Sequence, residues 1–383
     1  MTALAARART PALAAFAMGL AACGPAPRAQ PAASAGEVVM PPPLRLDPLA
    51  SIASGTGLEW LADVHPRELL SDEAAAAQVE RVFSETAAAR FRTRYGGVDL
   101  LRAQEIVVAG YDGALFGAVR AAVDATDAIN PGAIEAAFAR RAQGVEGRVQ
   151  AGSVVRFWGT VDGAREQVAV FGHQAVAIEH GQLGPLRPAV LFAEGKLQRA
   201  LPAMRAEPLA ALFARLQDAP PPPPVALAFY APGPFAEPWA SGLGGLLRAT
   251  TAAAVAATCA ATSPRPGGGA QLASGGGTRP DGGAQLAGGA GCPGLRVRVV
   301  LAGSWGADGP AAGERLAAAF RALAADPLGR LAGLDHPLAE PSLVTDDAAV
   351  ELDVTLDLAS LAGGIHDATG ASLPEILGLS AAH

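Results

Sequence analysis

An uninterrupted run of five prolines at residues 220–224 places the strongest constraint on how this chain folds. Consecutive prolines hold the backbone in an extended conformation and remove its amide donors, so neither a helix nor a central strand can pass through them. Segments with strand and helix periodicity lie on both sides of the run. The sequence therefore predicts an α+β fold of two units, residues 51–219 and residues 225–383, joined by a stiff linker at residues 220–224.

The first unit is predicted to run strand, helix, strand, strand, helix, strand. Ser71 can cap a long helix that extends to about residue 92, and Asn130 with Pro131 can begin a second helix that ends near residue 141. A glycine-bounded turn at residues 110–113 is a hairpin signal. The predicted strands are residues 58–64, 105–109, 114–119, 154–160, 166–171 and 174–179, and two helical pieces at residues 185–199 and 208–217 end the unit.

The second unit repeats this order. Its predicted strands are residues 225–230, 250–259, 295–302 and 350–357, and its predicted helices are residues 234–248, 310–325 and 358–369. Two such units with antiparallel sheets match the split βαβ arrangement, and the match predicts an internal duplication. That arrangement puts the strands at residues 295–302 and 350–357 on either side of the strand at residues 225–230. Arg296 and Arg298 are then expected to lie roughly 10 Å from Glu351 and Asp353, so that both sets of charges form solvated faces.

A short apolar segment precedes the first cysteine. Residues 1–10 carry Arg7 and Arg9 and no acid, and residues 11–20 are almost entirely apolar. At about 12 residues, the apolar run is shorter than the ~20 residues that a helix needs to cross a bilayer. Residues 1–22 therefore have the regions of a secretory signal peptide.

The sequence Leu20-Ala21-Ala22-Cys23 resembles the lipobox of bacterial lipoproteins. In that family the cysteine thiol receives a diacylglycerol and the signal is cut just before it. Gly24 stands where some lipoproteins carry an aspartate for inner-membrane retention, so the resemblance implies a lipid anchor in the outer membrane of the cell envelope. An ordinary signal peptide, cut at another small residue, is the alternative. Residues 23–50, rich in proline and alanine, are predicted to be a disordered tether between the lipid and the body.

Composition and charge exclude one class of partner. The net charge is -7 and the sequence pI is near 5.4, which argues against a nucleic-acid-binding protein. Half of the residues are hydrophobic, although aromatic residues make up only 5%. The body resembles uncharacterised envelope lipoproteins of GC-rich bacteria rather than a characterised family.

Motifs that carry chemistry are weak. The sequence has no GxSxG elbow and no phosphate-binding loop, and residues 242–245 are only a fragment of a dinucleotide fingerprint. No close pair of histidines has the spacing of metal ligands among His65, His173, His180, His336, His366 and His383. We therefore expect no catalytic residues, no metal and no cofactor.

The four tryptophans are divided two to each unit. Trp60, Trp158, Trp239 and Trp305 are expected to anchor the cores. The alternative is that they line a groove for an apolar or sugar ligand where the two units meet.

A low-complexity insertion separates the two remaining cysteines. Residues 263–291 are rich in glycine and contain a repeated six-residue segment, so they are predicted to be disordered. The equivalent connection in the first unit is the tight turn at residues 110–113. The insertion is therefore interpreted as an enlarged hairpin tip with Cys259 and Cys292 on its two stems. Opposed residues of antiparallel strands are close enough for a disulfide, and an exported chain meets an oxidising compartment.

These observations favour a lipid-anchored cell-envelope protein with a non-enzymatic binding or structural role. Its expected partners are the membrane, through the lipid on Cys23, and an envelope protein or an apolar ligand. A carrier of a lipid or of another apolar ligand is the first alternative, and a hydrolase without a recognisable motif is the second.

Replacing Cys23 with alanine tests the anchor. Because the thiol is the only strong nucleophile near the cleavage site, the Cys23→Ala variant is expected to lose metabolic labelling with palmitate and to escape processing at that position. Detergent-phase partitioning of the variant and the wild type provides the measurement. Equal partitioning of the two would place the anchor elsewhere.

Overall fold

The computed structural model describes residues 43–122, 129–182, 184–196, 201–217, 225–260, 292, 294–331 and 333–369. All of these residues belong to one compact unit, residues 42–383. The predicted signal peptide, Cys23, the greater part of the predicted tether, the proline linker and the predicted insertion at residues 263–291 lie outside the described residues.

The described strands form one sheet with antiparallel pairing throughout, in the order β11-β12-β10-β9-β8-β1-β2-β3-β7-β6-β5-β4. The strands are β1 (Leu58–Val64), β2 (Ala103–Tyr111), β3 (Ala114–Ala121), β4 (Ala142–Ala151), β5 (Val154–Val161), β6 (Ala164–Phe171), β7 (Ala175–Gly181), β8 (Leu227–Pro232), β9 (Thr250–Ala260), β10 (Gly294–Gly303), β11 (Ser342–Thr345) and β12 (Ala349–Asp357).

Helices pack on both faces of the sheet. They are α1 (Pro66–Leu70), α2 (Glu73–Val82), α3 (Glu85–Arg94), α4 (Pro131–Arg141), α5 (Leu186–Ala193), α6 (Leu209–Gln217), α7 (Gly242–Gly245), α8 (Gly309–Ala325), α9 (Pro327–Leu331) and α10 (Leu358–Thr369). The predicted α+β class with antiparallel pairing is confirmed.

The strand order corresponds in part on the two sides of the central pair β1 and β8. From this pair outward, one half runs β1-β2-β3-β7-β6-β5-β4 and the other half runs β8-β9-β10-β12-β11, so β5 and β4 have no counterpart among the described strands. The correspondence is consistent with a duplication, which stays a prediction. The split βαβ order is wrong in detail, because β12 pairs with β10 and not with β8.

One face of the sheet carries a continuous core. Leu61 of β1, Val107 of β2 and Tyr230 of β8 belong to it, and it extends from β5 in one half to β10 in the other. Helices α5 and α6 and the segment that includes Leu49 and Ile52 cover this face. The body therefore begins earlier than the predicted residue 51, since Leu49 and Ile52 are fully buried.

The opposite face carries separate cores. Ile134 and Phe138 of α4 pack on β5 and β6 in the first half. Leu316 of α8 packs with Leu301 and Leu352 in the second half. A smaller core lies beside α2 and α10, around Leu358. Among the described residues, none of these cores includes Trp60, Val108 or Phe229 of the central strands.

Two predicted helices are wrong. The helix predicted from Ser71 is divided into two, because Asp72 caps α2 and Ser84 caps α3 through hydrogen bonds from backbone amides three residues later. The helix predicted at residues 234–248 is a series of short turns. Leu243 has a φ of 51° and Gly244 a φ of 68°, which lie in the left-handed region and interrupt helical hydrogen bonding.

The predicted solvated acidic face is also wrong at Glu351. This side chain is 4% exposed and accepts hydrogen bonds from Arg215 of α6 and from Arg298 of β10, whose Nε lies 2.7 Å from Glu351 Oε2. Arg296 pairs with Asp353 in the same way, at 2.9 Å between Nε and Oδ1. The expected separation of roughly 10 Å fails because β10 and β12 are neighbours.

Glu351 and Asp353 offer a matched pair of substitutions. Replacing Glu351 with alanine removes the buried carboxylate that pairs with Arg215 and Arg298. The free energy of unfolding is therefore expected to fall by about 3–5 kcal/mol. Replacing Asp353 with alanine removes a pair whose arginine is 50% exposed, and a loss below about 1 kcal/mol is expected. Urea unfolding of both variants provides the measurement, and equal losses would contradict the assignment.

Candidate functional site

A partly exposed apolar surface lies at the centre of the sheet, where the two halves meet. It consists of Trp60, Leu115, Val108, Leu227 and Phe229, which we call the seam surface. Strand register puts these side chains on one face, because Ala62 is opposite both Phe229 and Val108, and Trp60 is in register with Gly110 and Leu115. The surface crosses four adjacent strands, or roughly 14 Å.

The seam surface is exposed although it is built from large apolar side chains. Leu115 is 39% exposed, and Leu227 and Phe229 are each 38% exposed. The cores beneath α4 and α8 lie on either side of it on the same face of the sheet. Exposed aromatic and aliphatic side chains that lie together indicate a binding surface more strongly than the same residues scattered singly.

Trp60 and Phe229 form the ridge of the seam surface. Their ring centroids are 5.9 Å apart, and their planes are 19° from parallel. Gly110 makes this possible, because a Cβ atom at Gly110 would lie 2.2 Å from Trp60 Nε1. Small residues beside the ridge, Ala62 and Gly117, leave a shallow hollow along the centre of the sheet.

The other tryptophans have different environments. Trp305 is the core anchor that the sequence predicts: it is 4% exposed and its Nε1 donates to Leu301 O at 3.1 Å. Trp158 is half-buried on the other face beside Gly147. Trp239 is 72% exposed. Core anchoring therefore fails for Trp239, whereas Trp60 lies where the alternative interpretation expects a groove.

A polar cluster lies on the opposite face, where β1 ends. Asp63 and His65 are two residues apart, and Glu105 comes from β2. His65 Nε2 lies 3.5 Å from Asp63 Oδ2, and this hydrogen bond raises the pKa of His65. Arg120 of β3 is opposite Glu105, with 2.7 Å between its Nη2 and Glu105 Oε2.

The two acids of this cluster are buried. Glu105 is 0% exposed and Asp63 is 7% exposed. Burial raises the pKa of Glu105, and the negative charge of Asp63 raises it further. Glu105 Oε1 also accepts a hydrogen bond of 3.0 Å from the amide of Ala50, which holds the first buried segment against the sheet.

Two other buried glutamates have structural partners. Glu166 accepts a hydrogen bond from each terminal nitrogen of the Arg141 guanidinium. The distances are 2.7 Å from Nη2 to Oε1 and 3.2 Å from Nη1 to Oε2. Glu179 accepts hydrogen bonds from the amides of Gly184 and Leu186 at the start of α5, and burial raises its pKa. Sequence reasoning missed all of these buried acids, since each occupies an alternating strand position that is typical of a solvated face.

The structure joins Cys259 and Cys292 in a disulfide with a Cα–Cα distance of 5.3 Å, as predicted from the two stems. The geometry differs in one respect. Leu295, not Cys292, is the residue opposite Cys259 in the sheet, so the two cysteines are not an opposed pair of β9 and β10. Leu358 of α10 and Ala75 of α2 pack against the disulfide.

Comparison of the chain with protein-family models, curated proteins and solved structures gave no match. Within the described part of the chain, no helix has the length and apolar character to cross a membrane.

Breaking the disulfide measures its contribution. The cysteines are 33 residues apart, so the Cys259→Ser/Cys292→Ser variant is expected to lose about 3–4 kcal/mol of unfolding free energy through the greater entropy of its unfolded chain. Urea unfolding measures the loss. Mass spectrometry after alkylation without reductant is the control, because modification of both cysteines in the exported wild type would show that the bond is absent.

Proposed function

We propose that this protein is a non-enzymatic binding protein of the cell envelope, attached to a membrane through a lipid on Cys23, and that the seam surface binds an acyl chain. The observation that supports this proposal is the stacked pair of Trp60 and Phe229 with Leu115 and Leu227 on a partly exposed face of the sheet. The proposal combines two interpretations of the sequence: the binding role that the sequence favours, and the alternative role of a carrier for a lipid or another apolar ligand.

The chemistry of the surface selects an apolar ligand. Its five side chains carry no charge, and the indole nitrogen of Trp60 is the only polar atom among them. An acyl chain lying along the hollow would gain about 0.8 kcal/mol for each CH₂ group removed from water, so six such groups would contribute about 5 kcal/mol. That is sufficient for reversible binding at submillimolar concentration.

The same surface is unsuited to an added peptide strand. Strands β8, β1, β2 and β3 are all interior strands, with neighbours on both sides. Their backbone amides and carbonyls are therefore used within the sheet, and main-chain hydrogen bonds cannot supply the affinity that strand addition requires.

A polar side chain borders the seam surface. His180 of β7 is directly opposite Leu115, and its side chain is 45% exposed. An imidazole at this position can donate a hydrogen bond to an acidic head group while the chain of the ligand lies over Leu115 and Trp60. The arrangement favours an amphiphile, such as a fatty acid, over a purely apolar ligand.

The predicted anchor supports access to such a ligand. The part of the predicted tether between Cys23 and the first described residue, residues 24–42, contains 19 residues. If extended, it would reach roughly 60 Å at about 3.1 Å per residue. The body could then meet lipids of the membrane to which Cys23 is attached.

Fluorescence quenching by a brominated fatty acid tests the proposal. Bromine atoms on the chain quench indole fluorescence on contact, so dibromostearate is expected to quench the wild type and to lose most of that effect in the Trp60→Phe variant. The Trp239→Phe variant is the matched control, because Trp239 is the most exposed of the four tryptophans and lies outside the seam surface. It is expected to be quenched like the wild type.

Affinity is tested with the same probe. Replacing Phe229 with serine removes part of the apolar ridge from an exposed position, and an increase in Kd of about tenfold is expected from the loss of one aromatic contact. Equal quenching of the wild type and the Trp60→Phe variant would exclude the seam surface as the site. Quenching that disappears only in the Trp239→Phe variant would move the site to Trp239.

A further inference from the structure

We propose that Asp63, His65 and Glu105 form a binding site for a divalent transition-metal ion, with Zn²⁺ as the best match. One ligand atom from each of the three side chains lies within 4.8 Å of the other two. The site is on the opposite face of the sheet from the seam surface and does not depend on the function proposed for that surface.

The strand geometry explains why these residues meet. Asp63 and His65 are two residues apart, so both side chains point to the same face where β1 ends. Val64 is opposite Ile106 in the register, and continuing that register by one residue places His65 beside Glu105. Two donors from adjacent strands, Asp63 and Glu105, thus converge with His65, the residue that joins β1 to α1.

The distances suit a small cation. In a tetrahedral zinc site with bonds of 2.0–2.2 Å, neighbouring ligand atoms are about 3.4 Å apart. His65 Nε2 and Asp63 Oδ2 already lie 3.5 Å apart. The two ligand distances to Glu105 are both within 4.8 Å, so a side-chain adjustment would close the three residues around an ion.

An unsatisfied acceptor provides independent support. Asp63 Oδ1 is buried and has no hydrogen-bond partner among the residues that the structure describes, and the side chain of Asp63 is only 9% exposed. A buried carboxylate oxygen without a partner is costly, because it has lost its hydration and gained no hydrogen bond in exchange. A cation between Asp63 and Glu105 would satisfy this oxygen.

The charges around the cluster leave a negative excess. Asp63 and Glu105 are two buried carboxylates, and Arg120 is the guanidinium that contacts Glu105. Arg120 is also shared with Asp47, at 3.0 Å between Nη1 and Oδ1. Glu105 Oε2 lies near Arg120 without a hydrogen bond of good geometry, so it retains the capacity to bind an ion.

The donor set indicates the class of metal. One imidazole and two carboxylates suit Zn²⁺, Fe²⁺ or Mn²⁺ better than Mg²⁺ or Ca²⁺, which prefer oxygen alone. His65 has a side chain that is 30% exposed, so a fourth position on this side is open to water or to a small ligand.

Calorimetric titration of the metal-free mature chain with zinc chloride tests the proposal. Reductant is left out so that Cys259 and Cys292 stay oxidised and cannot bind the metal. One site per chain is expected. The His65→Gln variant, which removes a partly exposed donor, is expected to bind about 10–100-fold more weakly or not at all. The Asp63→Asn variant should behave in the same way.

A matched control lies elsewhere in the chain. His336 Nδ1 is 3.1 Å from Asp335 Oδ1, which makes a second histidine–aspartate pair, and its side chain is 86% exposed. The His336→Gln variant is expected to bind zinc like the wild type. Circular dichroism of each variant separates loss of the fold from loss of a ligand, and His65→Gln is the variant with least effect expected on the fold.

Cobalt identifies the ligands directly. A Co²⁺-loaded wild type is expected to show visible absorption bands of a low-coordinate nitrogen and oxygen site, and these bands should be absent from the His65→Gln variant. The proposal is overturned if the wild type binds no zinc, or if the His65→Gln variant binds zinc with wild-type affinity. Parallel titrations with manganese and magnesium chloride establish the preferred ion, and a preference for magnesium would overturn the assigned class.

Discussion

The antiparallel pairing of β1 with β8 is the interaction on which the rest of the structure depends. It joins strands that are more than 160 residues apart in sequence, with Leu61 opposite Tyr230 and Val64 opposite Leu227. Without this pairing, the two halves would each present an unpaired strand edge of the kind that promotes aggregation. The pairing also aligns Trp60 with Phe229, and so creates the seam surface from residues of both halves.

Local sequence signals predicted much of the fold correctly. Asn130 and Pro131 mark the start of α4, where the Asn130 side chain accepts from the amide of Ala133. The alternation of apolar and polar residues at 350–357 correctly predicted β12. The hairpin signal at residues 110–113 correctly predicted the turn between β2 and β3. These signals succeed because they depend on backbone preferences within a few residues.

The failures have a common physical cause. Strand β4 was missed because it is an edge strand with mostly exposed side chains, which removes the apolar alternation that identifies a strand. The pairing of β10 with β12 was missed because periodicity shows which face a residue occupies, but not which strand lies next to it. The buried position of Glu351 follows from that neighbour and from Arg215 on α6.

The functional surfaces were only partly accessible to sequence reasoning. A groove at the meeting point of the two halves was among the interpretations, and Trp60 lies there, but nothing local distinguishes Trp60 from Trp305. The spacing of Asp63 and His65 was a usable signal, since residues two apart on a strand share a face. That spacing alone does not identify a site. The cluster is recognised only when Glu105 of β2, which the tertiary structure brings close, is included.

The unequal division of the hydrophobic cores has a consequence for cooperativity. On one face, a single core contains Phe116 from the first half and Ala254 from the second, so a cavity made there would weaken both halves together. On the other face, the core around Phe138 contains residues of the first half only, and the core around Leu316 contains residues of the second half only. Partial opening of one outer layer can therefore occur while the shared core keeps the sheet intact. Ala75 of α2 in the first half packs with Leu358 of α10 in the second half, so the two outer layers are coupled through this small core.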